Sequence, residues 1–312
     1  MVDLFEKAMK SRRTTAKNVS LTLSRVRKVI NGCGFTVLSE IDTEKVQEFL
    51  DKISAEEDLG HRTVNHYVQA VGAFGNWLVS TKRSAVNQFA GLALLNVEVD
   101  IRHKRRALSI DEVGKLIQSA RESRKDIQCF SPEERARIYI LSGLTGLRRK
   151  EIASLTPRSF DLKANPPTVT VVAACSKHRR LDVLPLHPQL IELLPDWLRG
   201  LGPDDFLFPK LGNRRTWLMV KLDLERVGIP YETPEGIADF HAAGRHTYIT
   251  GLLTNGATLP EAKELARHTD VKMTMKYAHI GLNDRARALA NLPAWECNGS
   301  KPQTAGTPGD TR

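Results

Sequence analysis

Apolar positions in the first part of the chain recur at helical spacing. Leu21, Leu23, Val26, Val29 and Ile30 form one run, which Asn31-Gly32 and Gly34 interrupt. A second helix is expected from Asp42 or Thr43, either of which can cap it, with Val46, Phe49 and Leu50 on its inner side. After Gly60, the segment RTVNHYVQAVGAFGNWLV sets Val64, Tyr67, Val68, Val71, Phe74 and Leu78 on one face, with Trp77 at the edge. His61, Arg62, Asn65, His66 and Gln69 cover the rest of that helix. Residues 1–96 therefore read as a small helical domain with no chemistry of its own.

The pattern stops at Val97. Residues 97–106, ending VEVDIRHKRR, are charged and aperiodic, which marks a linker. A capping box follows, with Ser109 as cap and Glu112 three residues on, and opens a second domain over 107–292. Between Arg135 and Ser154 a buried helix is expected, then a break at Thr145-Gly146, then a second helix from Leu147. Thr168 to Ala174 is β-rich, Cys175 to Arg180 a basic turn, and Leu181 to Leu186 a returning strand, so a hairpin is expected. Helices are expected at His187–Leu198 and Thr216–Val227, then one opening at His241 that Gly256 ends, then one from Leu259-Pro260. Residues 293–312, rich in Pro, Gly, Thr, Ser and Asn, read as a disordered tail. The fold class is mainly α with a small β-hairpin or sheet, in two domains.

Charge narrows the partner. The 312 residues carry a formal net charge of +10, which favours a polyanion and most simply nucleic acid. The four cysteines form no CxxC pair, so neither a zinc site nor a disulfide framework is expected, and a reducing cytosol suits them. No apolar run reaches the length of about 20 residues that a membrane span needs; a membrane partner is not expected. Arg62, Asn65 and His66 in the first domain, and Arg102, Lys104, Arg105 and Arg106 in the linker, are candidate DNA-backbone contacts, although a solvated face and a solvated linker would use the same residues.

The candidate chemistry collects in the second domain. Tyr277 follows His268 by nine residues and precedes His279, and a phenol near basic groups is a candidate nucleophile. Arg148 follows the glycine break, with Glu151 three residues on and on the same helical side, placed to orient its guanidinium. Lys177 sits at the hairpin tip, and His241 and Arg245 open a helix.

In that order, these boxes resemble the tyrosine recombinase (phage integrase) family. TGLRRKEIASL resembles its first arginine box with Arg148 and Glu151, SKHRRLDVLPL its hairpin lysine segment with Lys177 and Arg179, and FHAAGRHTYIT its His-x-x-Arg box. LARHTDVKMTMKYAH resembles the closing histidine-to-tyrosine box, and RTVNHYVQAVGAFGNWL the last helix of the family's core-binding domain. The resemblance spans roughly residues 10–292. It implies a two-domain clamp on double-stranded DNA and site-specific cleavage and rejoining through a 3′-phosphotyrosyl bond, with no ATP, metal or other cofactor. Tyr277 would be the nucleophile, Arg148, Arg245 and His268 would bind the phosphate, His241 would take the phenolic proton, and Lys177 would act as general acid. Arg179 would join the DNA contacts, and Glu151, His246 and His279 would support the site. The resemblance also implies a tetramer on DNA at the nucleoid, with room for an accessory DNA-bending protein. A type IB topoisomerase-like enzyme and a non-catalytic DNA binder of the same fold are the rival expectations.

Two positions depart from the family pattern. His241 lies four residues before Arg245 instead of three, and these spacings differ by about 100° around an α-helix. A one-residue π-bulge at Gly244 would absorb the difference. Second, Ala266-Arg267-His268 stands where Leu-Gly-His is commoner, placing an extra side chain beside the site.

Overall fold

The computed structural model describes residues 1–173, 180–278 and 289–290. The chain divides into two compact units, Met1–Lys104 and Arg105–Arg312. The division falls inside the charged stretch at 97–106, so Arg102 and Lys104 end the first unit and Arg105 and Arg106 open the second.

The first unit is built on α1 (Val2–Ser11), α2 (Ala16–Gly32), α3 (Thr43–Glu56) and α4 (His61–Ser80). Thr15 caps α2 by accepting from the amide of Asn18, and Asp42 caps α3 through the amides of Glu44 and Lys45. The apolar stripe of α4 is buried as its periodicity predicts, at Val64, Val68, Val71, Phe74 and Leu78. Trp77, expected at the edge, is buried too, because Phe5 of α1 packs on both Phe74 and Trp77 with ring centroids 5.4 Å apart in each pair. Each such aromatic contributes about 1.5–3 kcal/mol through burial. Leu21 instead faces outward on α2.

In the second unit, α5 (Ile110–Glu122) and α6 (Pro132–Thr145) both begin with capping boxes, Ser109 with Glu112 and Ser131 with Glu134. They pack with α9 (Thr216–Arg226) around an ion pair that periodicity alone does not reveal. Arg135 and Asp223 are wholly buried. The guanidinium donates to the Asp223 carboxylate at 2.9 and 3.2 Å and to the carbonyls of Ala120, Lys125 and Phe130, and the Tyr139 hydroxyl donates to the same carboxylate at 2.8 Å. Every strong donor in this cluster has an acceptor, which lets the charges stay inside.

The expected hairpin is present as β2 (Thr168–Val171) and β3 (Asp182–Pro185), antiparallel with Val169 opposite Leu184 and Val171 opposite Asp182. Val169, Val171 and Leu184 face the core at alternate positions. An unexpected short strand, β1 (Phe160–Asp161), extends this sheet in the order β1-β2-β3. A second small ribbon pairs β4 (Glu232–Thr233) with β5 (Gly236–Ile237), and Arg105 bridges Ile237 in parallel. The remaining elements are α7 (Arg149–Ile152), α8 (Pro188–Leu198), α10 (Thr247–Thr254), α11 (Leu259–Ala266) and α12 (Val271–Met275), among the described residues. Lys177, Arg179, His279 and the tail at 293–312 lie outside the described residues.

Candidate active site

Arg148 is placed by the break in front of it. Gly146 ends α6 with a left-handed φ of 61°, and a Cβ there would lie 2.4 Å from the Tyr248 ring, so both conformation and space require glycine. Leu147 then turns inward and Arg148 becomes the N-cap of α7. Its backbone amide donates to Glu151 Oε2 at 2.8 Å and its guanidinium to Oε1 at 3.1 Å. Burial pushes the Glu151 carboxyl up, but the hydrogen bond and charge of Arg267, then the amide and charge of Arg148, outweigh it and hold the carboxyl below its usual range. Glu151 is therefore a buried carboxylate that fixes the first arginine.

The second arginine comes from a π-turn. Residues Ala242–His246 wind with i→i+5 bonding between Phe240-His241 and α10. One residue more per turn makes a four-residue step there stand in for a three-residue step in an α-helix, as the bulge at Gly244 predicts. Gly244 itself is crowded: a Cβ would fall 1.9 Å from Ser142 Oγ and 2.9 Å from Ser142 Cβ on α6. The turn aims Arg245 inward, 3% exposed, where it donates to the Gly146 carbonyl at 2.9 Å and to the Ala266 carbonyl. Both acceptors lie at helix C-termini, whose orphan carbonyls carry partial negative charge. Burial, Arg148 and Arg267 lower the Arg245 pKa to about 10, so the guanidinium stays charged at neutral pH.

Around Tyr277 the structure gathers three histidines or their neighbours. The backbone turns left-handed at Arg267, with φ 55°, and delivers His268 into the core, where its Nδ1 lies 2.9 Å from the buried Thr274 hydroxyl. Asp270 caps α12, and Tyr277 follows that helix with its amide bonded to the Thr274 carbonyl. The His268 ring stands 6.1 Å from the Tyr277 ring, roughly parallel. Among the described residues the nearest ring is His246, edge-on at 4.7 Å, and His241 lies behind it, 5.4 Å from His246. The expected acceptor, His241, thus meets Tyr277 through His246, a residue that the sequence leaves in a supporting role. Burial and the cations nearby, Arg105 among them, lower both histidines to about 4, so both are neutral at pH 7. Burial also raises the Tyr277 hydroxyl, against the opposing pull of Arg245, Arg105 and Arg148. In the DNA-free protein the phenol is therefore protonated.

The candidate DNA contacts are placed in different ways. Arg62 and Lys104 are exposed and His66 is half-buried. Asn65 is buried, and both ends of its amide bond the Leu95 backbone at 2.8 Å, which makes it a clamp within the first unit. Arg102 pairs with Asp100 and Asp58. Arg106 is held by Glu112 and by the Pro230 carbonyl. Arg105 keeps an exposed side chain but donates to Asp239 at 2.8 Å, beside the histidines. Thr274 and Asp182 belong to this neighbourhood without a motif to announce them, and Arg105, expected only as a backbone contact, stands beside the histidines; the inward alternation of β3 is the pattern that marks Asp182.

A family model described as the phage integrase family matches residues 106–283. The chain belongs to that family. Among similar proteins, a tyrosine recombinase of Thermosipho africanus is 24% identical over 277 residues, covering 86% of this chain and 90% of the relative. Tyrosine recombinase XerC of Histophilus somni is 25% identical, covering 78% of this chain and 79% of the relative. Among solved structures, the Tn1549 transposon integrase with transposon right end DNA superposes with a TM-score of 0.69 at 15% identity, covering 93% of this chain and 98% of that one. A lambda integrase dimer bound to a core site gives 0.68 at 17%, covering 91% and 95%. These likenesses establish a tyrosine recombinase fold for this integrase-family chain. No helix among its described residues is long and apolar enough to cross a membrane.

Proposed function

We propose that this chain is a site-specific DNA recombinase in which Tyr277 attacks a phosphodiester of duplex DNA. The observation that carries this reading is the convergence of Arg148, Arg245 and His268 on Tyr277, each held by partners of its own. The Tyr277 Oη–P bond forms as the P–O5′ bond breaks, leaving a 3′-phosphotyrosyl ester and a 5′-hydroxyl. The two guanidiniums donate to the non-bridging oxygens, where negative charge grows in the transition state. In the tautomer whose Nδ1 accepts from Thr274, 2.9 Å away, His268 carries its proton on Nε2 and would offer it to the same phosphate. The phenolic proton passes to His246, with His241 behind it. A histidine near pKa 4 is too weak to ionise a resting tyrosine, so the proton moves as the phosphorus bond forms and not before. Lys177 supplies the proton that the 5′ oxygen takes up. The ester retains the energy of the cleaved bond, so attack by another strand's 5′-hydroxyl reseals DNA without ATP. Exchange between two duplexes calls for four such sites, hence a tetramer on DNA.

Denaturing capture of protein–DNA adducts from cells expressing wild type or Tyr277→Phe tests this. Adducts at a shared short sequence in wild type alone are expected. Adducts that persist in Tyr277→Phe would move the nucleophile elsewhere, and none in wild type would leave a DNA binder of the same fold. Products joining two input duplexes separate recombination from topoisomerase-like relaxation.

A further inference from the structure

Arg267 occupies the position where the family pattern commonly has glycine, and its backbone still takes the left-handed conformation, φ 55° and ψ 45°, that glycine adopts at no steric cost. The arginine there is 2% exposed and is held by its side chain. That side chain lies between two carboxylates. Nη2 donates to Glu151 Oε2 at 2.7 Å and Nη1 to Asp182 Oδ2 at 3.3 Å. Glu151 is the carboxylate that holds Arg148, and Asp182 opens β3, the return strand of the hairpin. The other oxygen of Asp182 accepts from Arg180 at 3.0 Å. The result is one continuous ion cluster from Arg148 through Glu151, Arg267 and Asp182 to Arg180, buried at its three central members.

We propose that Arg267 is a positioning residue for cleavage: its guanidinium locks the Glu151 carboxylate that orients Arg148 and ties it to the foot of β3. Without Arg267, Glu151 has two jobs and one cation. Its two oxygens already serve the Arg148 amide and guanidinium, so a carboxylate that rotates or takes a proton releases the first phosphate-binding arginine. The planar fork suits this task because it meets two carboxylates at fixed angles, which an ammonium cannot do. Arg267 touches neither Tyr277 nor, on this geometry, the phosphate. It acts through Glu151.

This inference rests on the recombinase reading, and the test separates the two. Arg267→Gly keeps the left-handed backbone and removes the fork. Single-turnover adduct formation is measured on a nicked duplex carrying the sequence that wild type attaches to in cells, at saturating DNA and well below each protein's melting midpoint. Arg267→Gly is expected to form adducts about 10²-fold more slowly, the cost of a slightly misplaced catalytic group, while DNA affinity stays within about threefold of wild type. The acid limb of its pH–rate profile should move to higher pH, because Glu151 loses the hydrogen bond that most opposes its burial. A purely structural role would lower the melting midpoint and leave both the rate and the acid limb unchanged; that result overturns the proposal. Should Arg267→Gly fail to fold, Asp182→Asn cuts the cluster at its other end and should slow adduct formation in the same direction, with the acid limb unmoved because the Arg267–Glu151 bond stays; a wild-type rate in that variant overturns the proposal. If wild type makes no adduct, the recombinase reading falls first and takes the positioning role with it.

Discussion

Deleting Gly244 asks whether the π-turn is an insertion that the site tolerates or a geometry that it needs. The turn spans Ala242–His246 and holds one residue more than an α-turn would. Removing Gly244 lets the segment close with α-type bonding from Phe240 into α10, and the residues on either side keep their mutual orientation. Residue 241 and the arginine then stand three apart, about 300° around an α-helix, in place of the four-residue step through the wider π-turn. The deletion also removes a glycine from a helical interior, which is worth about 1 kcal/mol relative to alanine. A deletion variant should therefore melt within about 1 kcal/mol of wild type and form phosphotyrosyl adducts at an equal or higher rate. Gly244→Ala is the contrasting perturbation, since it keeps the extra residue and adds a Cβ 1.9 Å from Ser142 Oγ. Rotating the serine hydroxyl leaves Ser142 Cβ at 2.9 Å, so backbone must shift, at about 1–3 kcal/mol for overpacking of this kind. With a urea slope of about 3 kcal/mol/M, the midpoint would fall by about 0.3–1 M. Because the next residue is Arg245, adduct formation should fall with it, and Ser142→Gly should restore both in the double variant. A folded deletion variant that makes no adduct would refute this account and show the four-residue spacing to be essential.

Lys177→Ala should slow cleavage of an ordinary substrate, and a 5′-phosphorothiolate, whose sulfur departs without a proton, should restore the rate; no restoration removes Lys177 as the acid. His246→Ala should slow adduct formation more than His241→Ala, because of the two it is the His246 ring that packs on Tyr277; the reverse order would return the acceptor role to His241. Both histidines bind protons more readily unfolded, near 6.5, than folded, near 4, so stability should fall as pH drops through that window. Replacing both with glutamine should flatten that fall, as read by urea midpoints across the range. Asp223→Ala should destabilise the second unit by about 3–5 kcal/mol, since it strands Arg135 in the core; a midpoint near that of wild type would show the pair to be dispensable.

What was legible in the sequence followed from period and order. The apolar stripe of α4, the capping box at Ser109 and the β-rich run from Thr168 each rest on a local pattern that neighbours enforce. The four-residue gap before Arg245 was legible as well, because an extra residue in a helix has few ways to be absorbed. Contacts between distant segments were not legible. Arg135 and Asp223 lie in different helices, and nothing local distinguishes them from solvated charges. Asn65, polar on the outer side of an amphipathic pattern, looks like a surface contact until Leu95 folds over it. His246 reads as a supporting residue for a related reason: the π-turn changes which ring faces Tyr277, and an ideal helical projection does not show that.

On the proposed reading, the charges around the site also account for how it would favour a transition state over bound DNA. Arg148, Arg245, Arg267 and Arg180 face the two carboxylates Glu151 and Asp182, leaving a surplus of two positive charges. A phosphodiester carries one negative charge, and the pentavalent arrangement formed by phenoxide attack carries two. The surplus is closer to the second than to the first, and it is fixed before DNA arrives. Arg245 is anchored to backbone carbonyls and Arg148 to a buried carboxylate, so neither has to reorganise as charge develops. Burial, which makes these guanidiniums effective, also raises the Tyr277 hydroxyl. On that reading, the same low-dielectric surroundings keep the resting tyrosine protonated and would strengthen the arginines toward a phosphate. Substituting lysine for Arg245 keeps the charge but abandons the two carbonyl anchors. It should therefore slow adduct formation by about 10²–10³ with little loss of DNA affinity; a lysine variant of near-wild-type rate would mean that charge alone, without fixed direction, suffices.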